Sequence, residues 1–210
     1  MKIATWNVNS LKVRLPHVLD WLAVQQPDAL CLQELKLEDK AFPAAELEQA
    51  GYRAVFLGQK TYNGVAILSR IAAEDVTLNI PGFEDDQKRL IAATIGDVRV
   101  ICGYFPNGQA VGSDKFAYKL RWLEALTTWL QGEIARHPKL VLAGDYNIAP
   151  EDRDAHPDWK DEIHVSEPER AAFRALLQLG LSDAFRLFEH PERSFSWWDY
   201  RMMAFRRNFG

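Results

Sequence analysis

Short apolar runs alternate along the chain with stretches in which apolar residues recur at every third or fourth position, the signatures of buried strands and amphipathic helices. Lys2–Val8 reads as a strand with Ile3, Thr5 and Asn7 on one face. Leu15, Val18, Leu19, Leu22 and Ala23 then recur at helical spacing, with Pro16 near the helix start, where its missing N–H is harmless. Asp28–Gln33 reads as a short buried strand, and Pro43–Ala50 as a helix stopped by Gly51. Tyr52–Leu57 and Val65–Ser69 flank Thr61-Tyr62-Asn63-Gly64, whose Asn-Gly pair favours a hairpin turn. Leu90–Ile95 and Val98–Tyr104 flank Gly96-Asp97, a second tight hairpin.

Phe116, Leu120, Leu123, Thr127, Leu130 and Ile134 mark a long amphipathic helix capped by Ser113 or Asp114. Lys139–Ala143 is strand-like, a polar loop covers roughly Pro150–Ser166, and Glu167–Leu179 is a helix ending at Gly180. Phe195–Tyr200 reads as an aromatic strand, followed by a basic stretch from Arg201 to Arg207 with no closing strand or helix. Consecutive hairpins mixed with strand–helix–strand units argue against a purely parallel sheet. They predict an α/β fold of two mixed β-sheets packed face to face with helices on the outside, a four-layer sandwich.

Composition narrows the class of function. The 210 residues suit one large α/β domain, and 48% hydrophobic with 26% charged residues exclude a disordered or collagen-like chain. No stretch approaches the roughly 20 apolar residues of a membrane span, and the N-terminus carries no signal pattern, so the expected location is cytoplasmic. Cys31 and Cys102 each sit inside an apolar run and read as isolated, buried thiols with no metal spacing. A net charge of −4 does not advertise nucleic-acid binding, so any such partner needs a local basic patch or a metal ion. Lys88, Arg89, Lys115 and Arg201 are the candidates for that patch, against the alternative of a solvated charged face.

Four apolar runs end abruptly in polar groups: Asn7; Gln33-Glu34; Tyr104-Phe105-Pro106-Asn107-Gly108; and Gly144-Asp145-Tyr146-Asn147. A carboxylate at the end of a buried strand must be paired or bind a cation, and strand ends gathered at one sheet edge are where α/β folds build sites. The donors Glu34, Asp145, Asn7 and Asn147 offer oxygens and amides with no Cys or His close in sequence, which selects a hard cation, Mg²⁺ before others.

These segments resemble the exonuclease III branch of the endonuclease/exonuclease/phosphatase superfamily. The resemblance rests on Trp6-Asn7-Val8-Asn9-Ser10-Leu11, Leu32-Gln33-Glu34-Leu35-Lys36, Gly58–Ala66, Gly103–Gly108, Gly144–Pro150 and Phe195–Arg201, six segments in the family's order from residue 1 to the end. It implies a metal-dependent DNA-repair phosphodiesterase with Mg²⁺, or Mn²⁺ as substitute, held by Glu34 with Asn7 beside it. Tyr104 would contact the scissile phosphate, Asp145 position or activate the attacking water, and Asn147 support the phosphate and the developing charge. Asn107 and Lys115 would touch the substrate strand, while Trp197 and Trp198 would line the pocket for the damaged or terminal nucleotide. The implied partner is double-stranded DNA with abasic sites or with blocked or recessed 3′ ends, bound by a monomer.

Two departures qualify the resemblance. The family's closing strands, with an Asp and a Ser-Asp-His run, have no counterpart before Gly210, and none of the five histidines stands in that context. The expectation is therefore one domain over 1–210, C-terminally incomplete, either part of a longer active enzyme, the favoured reading, or a short form with crippled catalysis. His164 stands in the loop before Glu167, where family members that incise abasic sites tend to have a small residue. Its imidazole is expected to obstruct a continuous strand and bias the chain to 3′-end trimming as exonuclease and 3′-phosphatase; an ordinary loop histidine is the competing reading. A non-catalytic DNA-binding form of the scaffold and a phosphodiesterase acting on RNA or lipid remain alternatives.

Overall fold

The alternation along the chain becomes two four-stranded sheets in the computed structural model, which describes residues 1–159, 162–201 and 203–210. The first contains β1 (Ile3–Asn7), β2 (Ala29–Gln33), β3 (Arg53–Leu57) and β4 (Val65–Ser69), in the order β1-β2-β4-β3. The second contains β5 (Ala73–Leu78), β6 (Leu90–Ile95), β7 (Val98–Tyr104) and β8 (Leu140–Asp145), in the order β5-β6-β7-β8. Both are mixed: β1–β2 and β7–β8 are parallel and the remaining pairs antiparallel. Each parallel pair needs a long crossover, supplied by α1 (Leu11–Gln25) and by α3 (Asp114–Arg136).

The chain divides into two compact units, Met1–Phe105 with Gly132–Tyr146, and Pro106–Gln131 with Asn147–Gly210. All eight strands belong to the first. Strand alternation sorts their side chains between two cores. Ala29, Cys31, Val65 and Ile67 meet Ile91, Ala93, Ile95, Val100 and Cys102 between the sheets. On the opposite face of the first sheet, Leu30, Leu32, Ala66 and Leu68 pack with Val18 and Leu22 of α1 and with Leu47 of α2 (Ala44–Gln49). Ile3 points to the first core and Ala4 and Trp6 to the second, the alternation expected of β1. A buried ion pair ties the far ends together. Arg99 of β7 donates to Glu133 near the end of α3 at 2.7 Å and to Thr77 of β5 at 2.8 Å.

The second unit carries the first turns of α3, then α4 (Glu167–Gln178) and α5 (Ala204–Arg207). Ser113 caps α3, its hydroxyl accepting from the Phe116 N–H at 3.2 Å. Ser166 and Glu169 form a reciprocal capping box at the start of α4.

Several expectations are corrected. α1 begins at Leu11, so Pro16 lies inside the helix. β3 and β4 pair as expected, but Leu57 faces Val65, leaving residues 58–64 as a longer loop in place of a tight hairpin. Phe195–Tyr200 is not a strand: it has no ladder partner among the described residues, and the Asp199 carboxylate folds back onto the Arg201 N–H at 2.7 Å, closing a turn. The basic stretch does carry a helix, the short α5. Cys31 and Cys102 are free and buried, as expected, but they lie in the same core between the sheets, where the neighbouring Cys102 and burial push the Cys31 thiol up. No helix among the described residues is long and apolar enough to cross a membrane.

Candidate active site

In the first unit the carboxyl ends of the two parallel pairs carry the polar groups. Asn7 ends β1 beside Gln33 of β2, and Tyr104 ends β7 in register with Asp145 of β8. One residue earlier the register pair is Gly103 and Gly144, and a Cβ on Gly144 would fall 1.8 Å from the Gly103 carbonyl oxygen. The two backbones approach too closely for any side chain, and that approach sets Asp145 against Tyr104. Glu34 leaves β2 with φ +57°, in the left-handed region. Its carbonyl accepts from the Ser10 N–H at 2.8 Å, and the next two amides donate to Gly64 and Asn63. Backbone bonds therefore hold the strained turn that aims the Glu34 carboxylate.

The Asn7 amide nitrogen links the sheets, donating to Glu34 Oε1 and to Asp145 Oδ2, each at 2.8 Å. Its oxygen accepts from the Asn9 N–H at 2.9 Å, which fixes the amide in this orientation. Asn7 thus turns its nitrogen, not its oxygen, toward the two carboxylates. Lys36 pairs with Glu34 Oε2 at 2.8 Å and donates to Asn9 Oδ1. Burial alone would raise the Glu34 pKa, but the Lys36 and Asn7 hydrogen bonds prevail and lower it, so the carboxylate stays ionised. The Tyr104 phenol is raised by burial and by the neighbouring Glu34 charge, against the pull of Arg89, and stays protonated. Arg89 stacks on the Tyr104 ring at 4.8 Å and donates to its carbonyl and to Gln87.

The oxygen donors fit a hard divalent ion. Among the described residues no three His, Cys, Asp or Glu side chains gather as a metal cage. Mg²⁺ does not need one: it accepts one or two carboxylates and completes its shell with water and phosphate oxygens. Glu34 and Asp145, held by the same amide, offer that pair, and Lys36 against Glu34 shows that the place accepts positive charge.

The second unit assembles another group. His164, with φ +79°, stands at the end of the polar loop. Asn107 Oδ1 accepts from the Gln109 N–H at 3.1 Å, turning the amide nitrogen toward His164 Nε2 at 2.9 Å. The imidazole must accept there, so it is neutral with its proton on Nδ1. Burial and the Lys119 charge agree, pushing its pKa down to about 3 against a backbone hydrogen bond with Asn107. Trp159 lies roughly parallel to the imidazole at 6.5 Å, and Trp197 meets it edge-on at 5.6 Å. Asn147 is buried, its carbonyl accepting from Lys119 Nζ at 2.6 Å.

The sequence-derived residues therefore fall into two sets. The first unit gathers Asn7, Glu34, Tyr104 and Asp145; the second gathers Asn107, Asn147, His164 and Trp197. Trp198 lies apart from this group, donating to Asn208 at 3.3 Å and packing edge-on against Phe205. Lys115 is exposed on the first turn of α3. Arg89 is buried with its guanidinium turned inward, and Arg201 is paired with Asp199 at 2.7 Å, so neither is a bare phosphate clamp. Sequence reasoning missed Trp159, which a polar loop gave no reason to single out. It also missed Lys119, whose signal was available: it stands three residues after Phe116 and four before Leu123, on the apolar stripe of α3.

The model of the Endonuclease/Exonuclease/phosphatase family matches residues 4–210. A Neisseria 3′ phosphatase, NExo, solved with a product DNA hairpin, is 52% identical with a TM-score of 0.95, covering all of this chain and 83% of that one. An AP endonuclease from Archaeoglobus fulgidus is 41% identical with a TM-score of 0.94 over the same shares. Exodeoxyribonuclease III of Haemophilus influenzae is 35% identical over all of this chain and 84% of its own length. Enzymes of the exonuclease III type are metal-dependent nucleases.

Proposed function

Because the chain belongs to the endonuclease/exonuclease/phosphatase family, as a DNA-repair phosphodiesterase of exonuclease III type, we propose that it works with Mg²⁺ on 3′ ends of duplex DNA, as 3′-phosphatase and 3′→5′ exonuclease ahead of abasic-site incision. The observation that carries the 3′-end preference is His164, a neutral imidazole fixed by Asn107 at 2.9 Å and flanked by Trp159 and Trp197. A rigid wall of that bulk suits a strand that ends there and obstructs one that continues. The 3′ phosphatase relative, at 52% identity, supports the same preference.

Glu34 would hold the metal, its carboxylate oriented by the Asn7 amide. When bound there, it would supply positive charge that polarises a phosphoryl oxygen. Asp145, in hydrogen bond to Asn7, accepts the proton of the attacking water. Tyr104, protonated at working pH, donates to a phosphate oxygen. The Asn147 amide stabilises charge that develops as the bond breaks. Asn107 and Lys115 contact the substrate strand, and Trp197 gives the terminal nucleotide an aromatic face. Two reduced, buried cysteines support a cytoplasmic location.

The test is cleavage of a 3′-phosphate primer, a 3′-recessed duplex and an abasic duplex, each with Mg²⁺ or EDTA, by the wild-type protein and His164→Gly. EDTA-sensitive turnover, fastest on the 3′-phosphate, with abasic incision gained on substitution, is the expected outcome. Incision of the abasic duplex that His164→Gly leaves unchanged defeats the role of His164.

A further inference from the structure

In the second unit a charge pair lies entirely out of contact with water. Lys119 on α3 and Glu169 on α4 both have no exposed surface, and they are bonded to each other. The Lys119 ammonium donates to the Asn107 carbonyl at 3.3 Å, to the Asn147 carbonyl at 2.6 Å and to Glu169. Glu169 accepts from the His164 N–H at 3.0 and 2.9 Å, from the Ser166 N–H at 3.2 Å and from the Ser166 hydroxyl. We propose that Lys119 and Glu169 act as a positioning clasp, fixing the main chain at Asn107, Asn147 and His164 and so setting kcat and the preference for 3′ ends.

The physical argument begins with what a buried ion pair is poor at. Its desolvation cost is several kcal/mol per ion, and apolar side chains of the same volume usually serve stability as well or better. What they cannot do is bond directionally to main-chain groups on three separate loops. The loops here need such a hold. Asn147 and His164 have φ +48° and +79°, a region that side chains with a Cβ enter at a cost of about 1–3 kcal/mol. The Asn107 loop lies so close to the lysine stem that a Cβ on Gly108 would stand 3.1 Å from Lys119 Cδ and 2.8 Å from Ile163. The Ala149 N–H donates to the His164 carbonyl at 2.8 Å, joining two of the loops directly. Lys119 and Glu169 bond to main-chain atoms of these residues, so the hold they exert does not use the side chains of Asn107, Asn147 and His164.

This inference rests on the 3′-end reading above, and the experiment separates the two. The variant Lys119→Met/Glu169→Leu removes both charges while keeping volume. It is expected to unfold cooperatively within a few degrees of the wild type. Its kcat on a 3′-phosphate primer should fall at least tenfold with KM for the duplex within about threefold. Its ratio of 3′-phosphate to abasic-duplex activity should fall at least fivefold as His164 loses its hold. If the double variant unfolds without cooperativity, Glu169→Gln, which keeps shape and one acceptor oxygen, is judged by the same thresholds. Wild-type kcat and an unchanged substrate ratio in the folded variant overturn the clasp. A wild-type protein that cleaves none of the DNA substrates overturns the 3′-end reading instead, and with it the clasp.

Discussion

His164 makes the stability of the protein depend on pH in a way that can be calculated. In the unfolded chain its imidazole titrates near the ordinary histidine value of about 6.5. In the folded chain burial and the Lys119 charge hold it down to about 3. Below pH 6.5 the unfolded state therefore binds a proton that the native state refuses, and stability falls as the pH falls. The contribution is fully present above the unfolded value and shrinks until the native imidazole also protonates. For this one group the loss between pH 7 and pH 5 comes to about 2 kcal/mol. The perturbation is His164→Gln, whose side chain can still face Asn107 but does not titrate. Urea unfolding of both proteins at half-unit steps from pH 7.5 to 5 gives two stability curves, in which every other titrating group cancels. The wild-type curve should drop below that of the variant by about 2 kcal/mol at pH 5 relative to pH 7. Parallel curves would mean that the folded imidazole protonates normally, and the neutral, Asn107-fixed wall would have to be abandoned.

Asn7→Ala removes two bonds to carboxylates, each worth about 1.5–3 kcal/mol, and leaves Glu34 and Asp145 unbridged. Steady-state kcat/KM should fall by roughly 100-fold or more, and turnover near the wild-type rate would remove Asn7 from the site. Arg99→Met takes from the buried Glu133 carboxylate its Arg99 partner, leaving Arg136 on the other oxygen, and should cost about 3 kcal/mol in urea, most of it recovered by adding Glu133→Leu; no recovery would show that the cost is packing instead. EDTA should abolish cleavage without lowering the thermal midpoint by more than a few degrees, and Mg²⁺ should restore activity better than Mn²⁺. Turnover that survives EDTA rules out the metal role of Glu34. Trp197→Ala should raise KM for a 3′-phosphate primer roughly tenfold through lost stacking, and an unchanged KM places the terminal nucleotide elsewhere.

What the sequence made legible was what local periodicity carries. The β6–β7 hairpin falls where Gly96-Asp97 put it, and β1, β2 and β8 deliver Asn7, Glu34 and Asp145 because apolar runs that stop at a polar group are strand ends by construction. What stayed hidden depends on partners distant in sequence. β5 went unread because Glu74, Asp75 and Val76 are exposed, so its alternation is broken by an edge position and by a register shift between Glu74 and Thr77. Asn63 and Gly64 do adopt left-handed backbone, as their turn chemistry implies, but residues 58–64 are held by Gln87 and the Lys88 main chain, more than twenty residues away. Phe195–Tyr200 has the composition of a strand but no ladder partner among the described residues. Lys119 shows where the limit lies: its place on the apolar stripe of α3 announces a buried charge, whereas the identity of its partner, Glu169 some fifty residues on, and of the three loops the pair holds follows from the fold alone. A residue that breaks a helix's apolar face is thus readable as a question, and the answer to it is tertiary.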